Sequence, residues 1–357
     1  MNKLRIATRK SALAMAQTTL VAEAIAAANP GLTYELVSMT TEGDRRLDKS
    51  LASFGGKGVF IKELEVALLE DRADIAVHSL KDMPAEVLPE FKLAAVLKRE
   101  DPRDAFIARG GVDGLKFMQL PAGARVGTGS IRRVVQLKAL RPDLEYVPIR
   151  GNIQTRLSKL AELDAVVLAA AGLKRMGLAD QVTEYFSTEQ MLPASGQGIL
   201  AIETRHCEEP QATIYDTKQL VALVELGSKE QQSIDAVLAP VNDPATFCIA
   251  VAEMSYLKAL NAGCQFPVAS YAEFVDAAGN VKIDGANVAV DSANAAADSA
   301  NATGTRKMKI RGIYWDEKKK NLLKSEVFGE INLSNNLVDS ARKIGIELAD
   351  KICQMLK

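Results

Sequence analysis

Along residues 4 to 203, short apolar runs rich in valine and isoleucine alternate with stretches whose apolar positions recur every three or four residues. The runs read as strands: LRIAT (4–8), YELVSM (34–39), DIAVH (74–78), LAAVL (93–97), DAFIA (104–108), ARVGT (124–128), YVPI (146–149), DAVVLA (164–169) and ILAIE (199–203). Helices are predicted near 10–28, 60–71, 130–139, 152–162 and 170–176. Strand followed by helix, repeated, is the pattern of a parallel α/β architecture. Charge and proline in KREDPRDAF (98–106) break the series once, and LPASGQG (192–198) breaks it again. Two α/β lobes joined by two crossings is the simplest organisation.

Beyond about residue 220 the pattern changes. Helical periodicity near 226–238 and 249–262 leads into FPVASYAEF, VKIDGANVAV and KMKIRGIYW, which alternate like antiparallel strands, and a helix is predicted over 336–356. This is a third, α+β domain with a small antiparallel sheet. The expected division is 1–98 with 199–216 for lobe 1, 104–192 for lobe 2, and 222–357 for the third domain. The second half of ANVAVDSANAAADSANATGT (286–305) has no apolar period and reads as an exposed loop.

Composition narrows the function classes. The chain has 357 residues, 48% of them hydrophobic, and a net charge of -1, as expected of a globular protein of several domains. Near neutrality gives no overall electrostatic footprint for nucleic acid, so an anion site has to come from local clustering of cations. The four cysteines lie far apart and only two histidines accompany them, which points to neither a metal site nor a disulfide framework. The amino-terminal segment lacks the apolar core of an export signal, and no stretch approaches the roughly 20 apolar residues of a membrane span. The expected location is the cytoplasm.

Local clustering of cations does occur. In RVGTGSIRRVVQLKALRPDLEYVPIRGNIQTR (125–156), Gly127, Thr128, Gly129 and Ser130 end a strand and open a helix, an arrangement that favours an anion. Arg132 and Arg133 follow. Arg150 stands at the end of the next strand, with Arg156 a turn into the helix after it. In open α/β sheets these carboxyl ends face the ligand crevice, and guanidinium groups grip carboxylates or phosphates in a bidentate way. The absence of a third glycine, Arg132 taking its place, argues against a dinucleotide. Surface ion pairing is the plainer alternative for any single arginine. DIAVHSLKDMP (74–84) places Ser79, Lys81 and Asp82 at another strand end; Asp82 suits acid–base chemistry or a counter-ion role, or simply pairs with Lys81. His78 reads as structural. EGDRRLDKSLASFGGKGVF (42–60), with Lys57, is a candidate lid.

Nine co-linear segments, RIATRKSALAMAQ, GGKGVFIKELE, DIAVHSLKDMP, REDPRDAF, VGTGSIRR, IRGNIQTRL, AGLKRMG, LPASGQG and NAGCQFPVASYAE, give residues 3–275 a specific resemblance to the hydroxymethylbilane synthases, also called porphobilinogen deaminases. The resemblance implies two periplasmic-binding-protein-like (type II) lobes with a cleft between them and a third domain that presents Cys264. It implies a dipyrromethane cofactor bound to Cys264 through a thioether, which a soft thiolate nucleophile suits. Asp82 matches the catalytic aspartate. Arg9, Ser11, Ser79, Lys81, Thr128, Ser130, Arg132, Arg133, Arg150 and Arg156 match positions that bind the acetate and propionate groups of cofactor, substrate and intermediates. The implied substrate is porphobilinogen and the product feeds porphyrin and haem synthesis. The protein is expected to act as a monomer, with transient contact to the next enzyme of tetrapyrrole synthesis, and without nucleic acid, membrane or metal. Cys207, Cys248 and Cys353 lack such a context and read as structural thiols.

Two features depart from the pattern: Gly129 stands where the family usually has a serine, and the 204–263 stretch is long. A catalytically silent homologue and an anionic-solute-binding protein are the alternatives of other classes; the second has no use for Asp82 or Cys264.

Overall fold

The computed structural model describes residues 1–41, 61–206, 233–262, 266–276, 305–332 and 337–357. Every strand expected in the lobes is present. The first sheet has the order β2-β1-β3-β10-β4, built from β1 (Lys3–Arg9), β2 (Thr33–Met39), β3 (Ile75–Ser79), β4 (Phe91–Val96) and β10 (Leu200–Arg205). The second has the order β7-β6-β8-β5-β9, from β5 (Asp104–Ala108), β6 (Arg125–Gly127), β7 (Glu145–Val147), β8 (Ala165–Ala169) and β9 (Glu184–Tyr185). The central strands are continuous apolar runs because both of their faces are covered, as in DAFIA, where every residue of β5 is buried.

The helices pack onto these sheets. They are α1 (Ala12–Ala28), α2 (Lys62–Leu69), α3 (Ile131–Leu140), α4 (Ile153–Ser158) and α5 (Ala170–Arg175). In the second lobe Phe106, Phe117 and Phe186 meet edge to face, with ring centroids 5.2 to 6.2 Å apart. Each such pair contributes about 0.5 to 1.5 kcal/mol beyond its buried area.

Both lobes are α/β, as expected, and each sheet combines parallel strands with one reversed strand. β1 is parallel to β2 and β3, and β6 to β7 and β8. However, β10 is antiparallel to both β3 and β4, and β5 to both β8 and β9. The exceptions are the strands adjoining the crossings: the chain enters the second sheet through β5 and returns to the first through β10, each inserted between two strands that run the opposite way. The two lobes share this order, with one reversed strand second from the edge.

The third sheet is antiparallel, with β12 (Thr305–Asp316) between β11 (Val268–Val275) and β13 (Asn321–Asn332). Its apolar face packs on α6 (Pro244–Ala259) and α7 (Leu337–Leu356), with Tyr256, Met308, Ile310, Val327, Ile344 and Leu348 in the core. β13 was not expected, since Lys324, Glu326 and Glu330 occupy its outward positions and mask the apolar alternation of Leu323, Val327 and Ile331. The segment VKIDGANVAV (281–290), the candidate lid at 42–60 and all but the last residue of the 286–305 stretch lie outside the described residues. Among the described residues no single helix is long and apolar enough to cross a membrane.

Candidate functional site

On the first lobe, β3 runs out into a single 3-10 turn, Leu80–Asp82. Buried Leu80 and Met83 pin the turn, with Leu80 N–H donating to Ile199 O at 3.0 Å and Met83 N–H to Leu80 O at 3.0 Å. Of the residues between them, Lys81 is half-buried and Asp82 exposed. Ser79 is tied to α1, its hydroxyl accepting from Gln17 Nε2 at 3.0 Å. Arg9 ends β1, and Ser11 caps α1 by accepting from Ala14 N at 3.3 Å.

On the second lobe, β6 leads through Thr128 and Gly129 to Ser130 at the N-cap position of α3. Buried Thr128 donates its N–H to Val147 O at 3.0 Å. Gly129 is explained by its surroundings: a Cβ there would lie 2.5 Å from Ile149 O. The side chain of Ser130 makes no capping bond. Arg150 is exposed beyond buried Ile149, and Asn152 caps α4 by accepting from Thr155 N at 2.9 Å. Arg156, half-buried, donates from Nε to Gly151 O at 2.8 Å.

Electrostatics tie the two sides together. Desolvation holds the Lys81 ammonium below its ordinary pKa; Arg133 and Arg132 push the same way, while Asp82 and Asp104 oppose. Burial likewise lowers Arg156, with Asp82 opposing and Arg150 adding to the shift. Asp82 of the first lobe thus acts on Arg156 of the second.

Arg132 and Arg133 are placed differently from the sequence expectation that they point into the cleft. Each is only 5% exposed, and both converge on Asp104, which is completely buried. Arg132 Nη1 and Nη2 lie 2.8 and 3.1 Å from its carboxylate, Arg133 Nε 2.9 Å away. Further donors go to Leu192 O and Val167 O, at 2.6 and 2.9 Å. Burial pushes the Asp104 carboxyl up, but the two guanidiniums outweigh it and hold it well below the usual carboxylate range. Burial also brings Arg133 down to about 10, against Asp104, so it stays cationic at neutral pH.

Arg175 was missed in the sequence. It ends α5, donates to Gly198 O at 2.7 Å, and is lowered to about 10 by burial, with Glu100 opposing. The strand-end logic used for β6 and β7 extends to β8 and finds it. His78 is structural as expected: it is buried and its Nε2 sits 3.0 Å from Glu203 Oε2. Cys264 and Lys57 lie outside the described residues, as does Cys207; Cys248 is buried and Cys353 half-buried on α7. Among the described residues no group of three or more metal-ligating side chains occurs.

Two family profiles match the chain: "Porphobilinogen deaminase, dipyromethane cofactor binding domain" over residues 4–213 and "Porphobilinogen deaminase, C-terminal domain" over 247–314. A porphobilinogen deaminase of Syntrophus aciditrophicus is 40% identical over 351 residues, covering 98% of this chain and 94% of its own. One of Laribacter hongkongensis is 46% identical over 275 residues, covering 76% and 81%. Among solved structures, the periplasmic aliphatic sulphonate binding protein of Escherichia coli aligns with 68% of this chain and 74% of its own, at 12% identity and a TM-score of 0.33.

Proposed function

The chain belongs to the porphobilinogen deaminase family, and from that premise we propose that the crevice between its lobes is the catalytic centre, with Asp82 as the proton-handling group. The protein is a hydroxymethylbilane synthase, a transferase of tetrapyrrole biosynthesis that joins four porphobilinogen units head to tail with release of ammonia. Its cofactor is a dipyrromethane.

The chain's own residues fit a group carrying several carboxylates. Lys81 and Arg156 are desolvated cations on opposite sides of the crevice, Arg150 is exposed beside Arg156, and the Ser130 side chain is not spent on capping. When bound, the dipyrromethane supplies the primer on which the pyrrole chain is built. In this reading Cys264 holds it, and Arg9, Ser11, Ser79, Lys81, Thr128, Ser130, Arg150 and Arg156 bind acetate and propionate groups. Arg132 and Arg133 contribute from one layer beneath, as buried positive charge. The crowding of cations suits a ligand that gains two carboxylates with every ring.

Asp82 is exposed on a turn that buried Leu80 and Met83 hold in place, which suits a carboxylate that must reach the crevice without being sealed off. There it protonates the departing amine of the substrate, faces the pyrrolic cation that forms, and later accepts the α-proton. The electrostatic action of Asp82, on the first lobe, upon Arg156, on the second, supports this reading. We further propose the division into 1–98 with 199–216, 104–192 and 222–357, a cytoplasmic monomer, and transient contact with the next enzyme of the pathway.

Intact mass of the purified protein beside Cys264→Ser tests the assignment. The parent is expected to carry the excess mass of one dipyrromethane, and the variant to lack it. A parent without that mass, even after incubation with porphobilinogen, would move the reading to a silent homologue or a binding protein for anionic solutes.

A further inference from the structure

The two crossings and the third domain meet at one carboxylate, and it lies outside the set that binds substrate or cofactor. Glu253, on α6, is completely buried. Its Oε1 accepts from Arg99 Nη1 at 2.7 Å and from Ala272 N at 2.8 Å; its Oε2 accepts from Gly196 N at 2.6 Å. Arg99 belongs to the first crossing, Gly196 to the second, and Ala272 to β11. Arg99 is itself gripped from three sides, donating Nε to Gln197 O at 2.8 Å and its backbone N–H to Thr246 Oγ1 at 3.1 Å, with its guanidinium 4.9 Å from the Tyr271 ring centroid. Ser195 and Ser270 add a hydroxyl pair at 2.6 Å between the second crossing and β11.

Two lines of contact leave this carboxylate. One runs to the Asp82 turn. Gly196 has a φ of +74° and lies so close to Leu80 that a Cβ would meet Leu80 Cγ at 2.8 Å, and Leu80 belongs to the same 3-10 turn as Asp82. The other runs to the segment that holds Cys264. That segment follows α6, which carries Glu253, and precedes β11, whose Ala272 N–H Glu253 accepts.

We propose that Glu253 is a positioning residue for the condensation: it sets the Asp82 turn against the two elements that flank Cys264, so that the proton-handling carboxylate and the tethered chain keep a fixed relation. This rests on the reading of Cys264 as the attachment point. A carboxylate is needed because it offers two oxygens, one to each backbone amide, while also neutralising Arg99. Glutamine keeps one accepting oxygen, so one of the two amides loses its partner.

The test compares the holoenzyme with Glu253→Gln and with Arg99→Met/Glu253→Gln, in which no buried charge is left without its counter-ion. Amide exchange followed by mass spectrometry is expected to rise about tenfold in peptides covering 79–83 and 268–272 of both variants, with the second sheet unchanged. For cofactor-bearing molecules, kcat for ammonia release is expected to fall about 10- to 100-fold while KM stays within about twofold, because misplacement acts on the chemical step rather than on binding. Parental exchange in both segments, or parental kcat in a folded variant, overturns the positioning role. A variant that only melts earlier, with kcat per cofactor unchanged, overturns it too. Should the parent itself carry no dipyrromethane, the reading of Cys264 as the attachment point fails, and the exchange data still decide whether Glu253 couples the two segments.

Discussion

Replacing Asp104 by asparagine removes the acid on which Arg132 and Arg133 converge. The site cannot recruit water cheaply, since the aspartate is completely buried and each arginine is only 5% exposed. Removing one partner of a buried pair costs about 3 to 5 kcal/mol. Here two cations share the acid, which favours the upper end, but asparagine keeps an oxygen that restores a hydrogen bond worth about 1 kcal/mol. The net expectation is about 3 to 4 kcal/mol. For a unit of 150 to 250 residues each kcal/mol moves Tm by about 2 to 4 °C, so a fall of roughly 10 °C is expected. Trp315 on β12 is the sole tryptophan, so fluorescence reports the third domain while far-UV circular dichroism reports the whole chain. The dichroism transition of Asp104→Asn should move further than the fluorescence transition. Asp339→Asn, at an exposed pair 2.6 Å from Arg342, is the control and should move neither. A fall below about 2 °C for Asp104→Asn would refute the claim that this carboxylate holds the two arginines against their burial.

Other consequences can be checked alongside. Asp82→Asn should fold with parental Tm, because the side chain is exposed, yet lose nearly all turnover; near-normal ammonia release would sink the proton-handling role. Arg150→Leu or Arg156→Leu should stall cofactor assembly or chain growth, seen as shorter covalent adducts by intact mass, and parental kinetics would remove that residue from the carboxylate-binding set. Gly129→Ser should cost about 1 to 3 kcal/mol in urea melts, since its Cβ would press on Ile149 O at 2.5 Å; a neutral effect would show that the loop gives way freely. Burial raises the Asp101 carboxyl, but Arg103 and Lys174 outweigh it and bring it to about 2 from 3.8. Its stabilisation, roughly 2 kcal/mol, is therefore complete above the unfolded value and fades as pH falls towards 2, so the gap between parent and Asp101→Asn should close over that window.

The lobes were legible because buried strands announce themselves as unbroken apolar runs and the helices between them keep their period. Direction was not legible: DAFIA and ILAIE look like their parallel neighbours, and it is the crossings that turn them round. β9, with two residues, is too short to carry a pattern, and β13 hides its period behind Lys324, Glu326 and Glu330. At the site, strand ends pointed to Ser79, Lys81, Asp82 and Thr128. They could not separate Arg150, which is exposed, from Arg132 and Arg133, which turn inward to Asp104. That difference depends on an acid 28 and 29 residues earlier in the chain. Glu253 was equally hidden, because its partners Arg99 and Gly196 are far from it in sequence and meet it only after all three units have assembled.

The insertion of β10 between β3 and β4 also orders events at the ribosome. The second sheet is drawn from one unbroken stretch, Asp104 to Tyr185, and can close as soon as that stretch has emerged. The first sheet cannot, because β3 and β4 have no ladder between them until Leu200–Arg205 arrives. For the time needed to synthesise the intervening hundred or so residues, at about 5 to 20 residues per second, the amino-terminal strands wait with open edges, exposed to pairing with other chains. The half of the molecule made first is thus completed second, and a nascent chain stalled before residue 200 should be the most prone to aggregate.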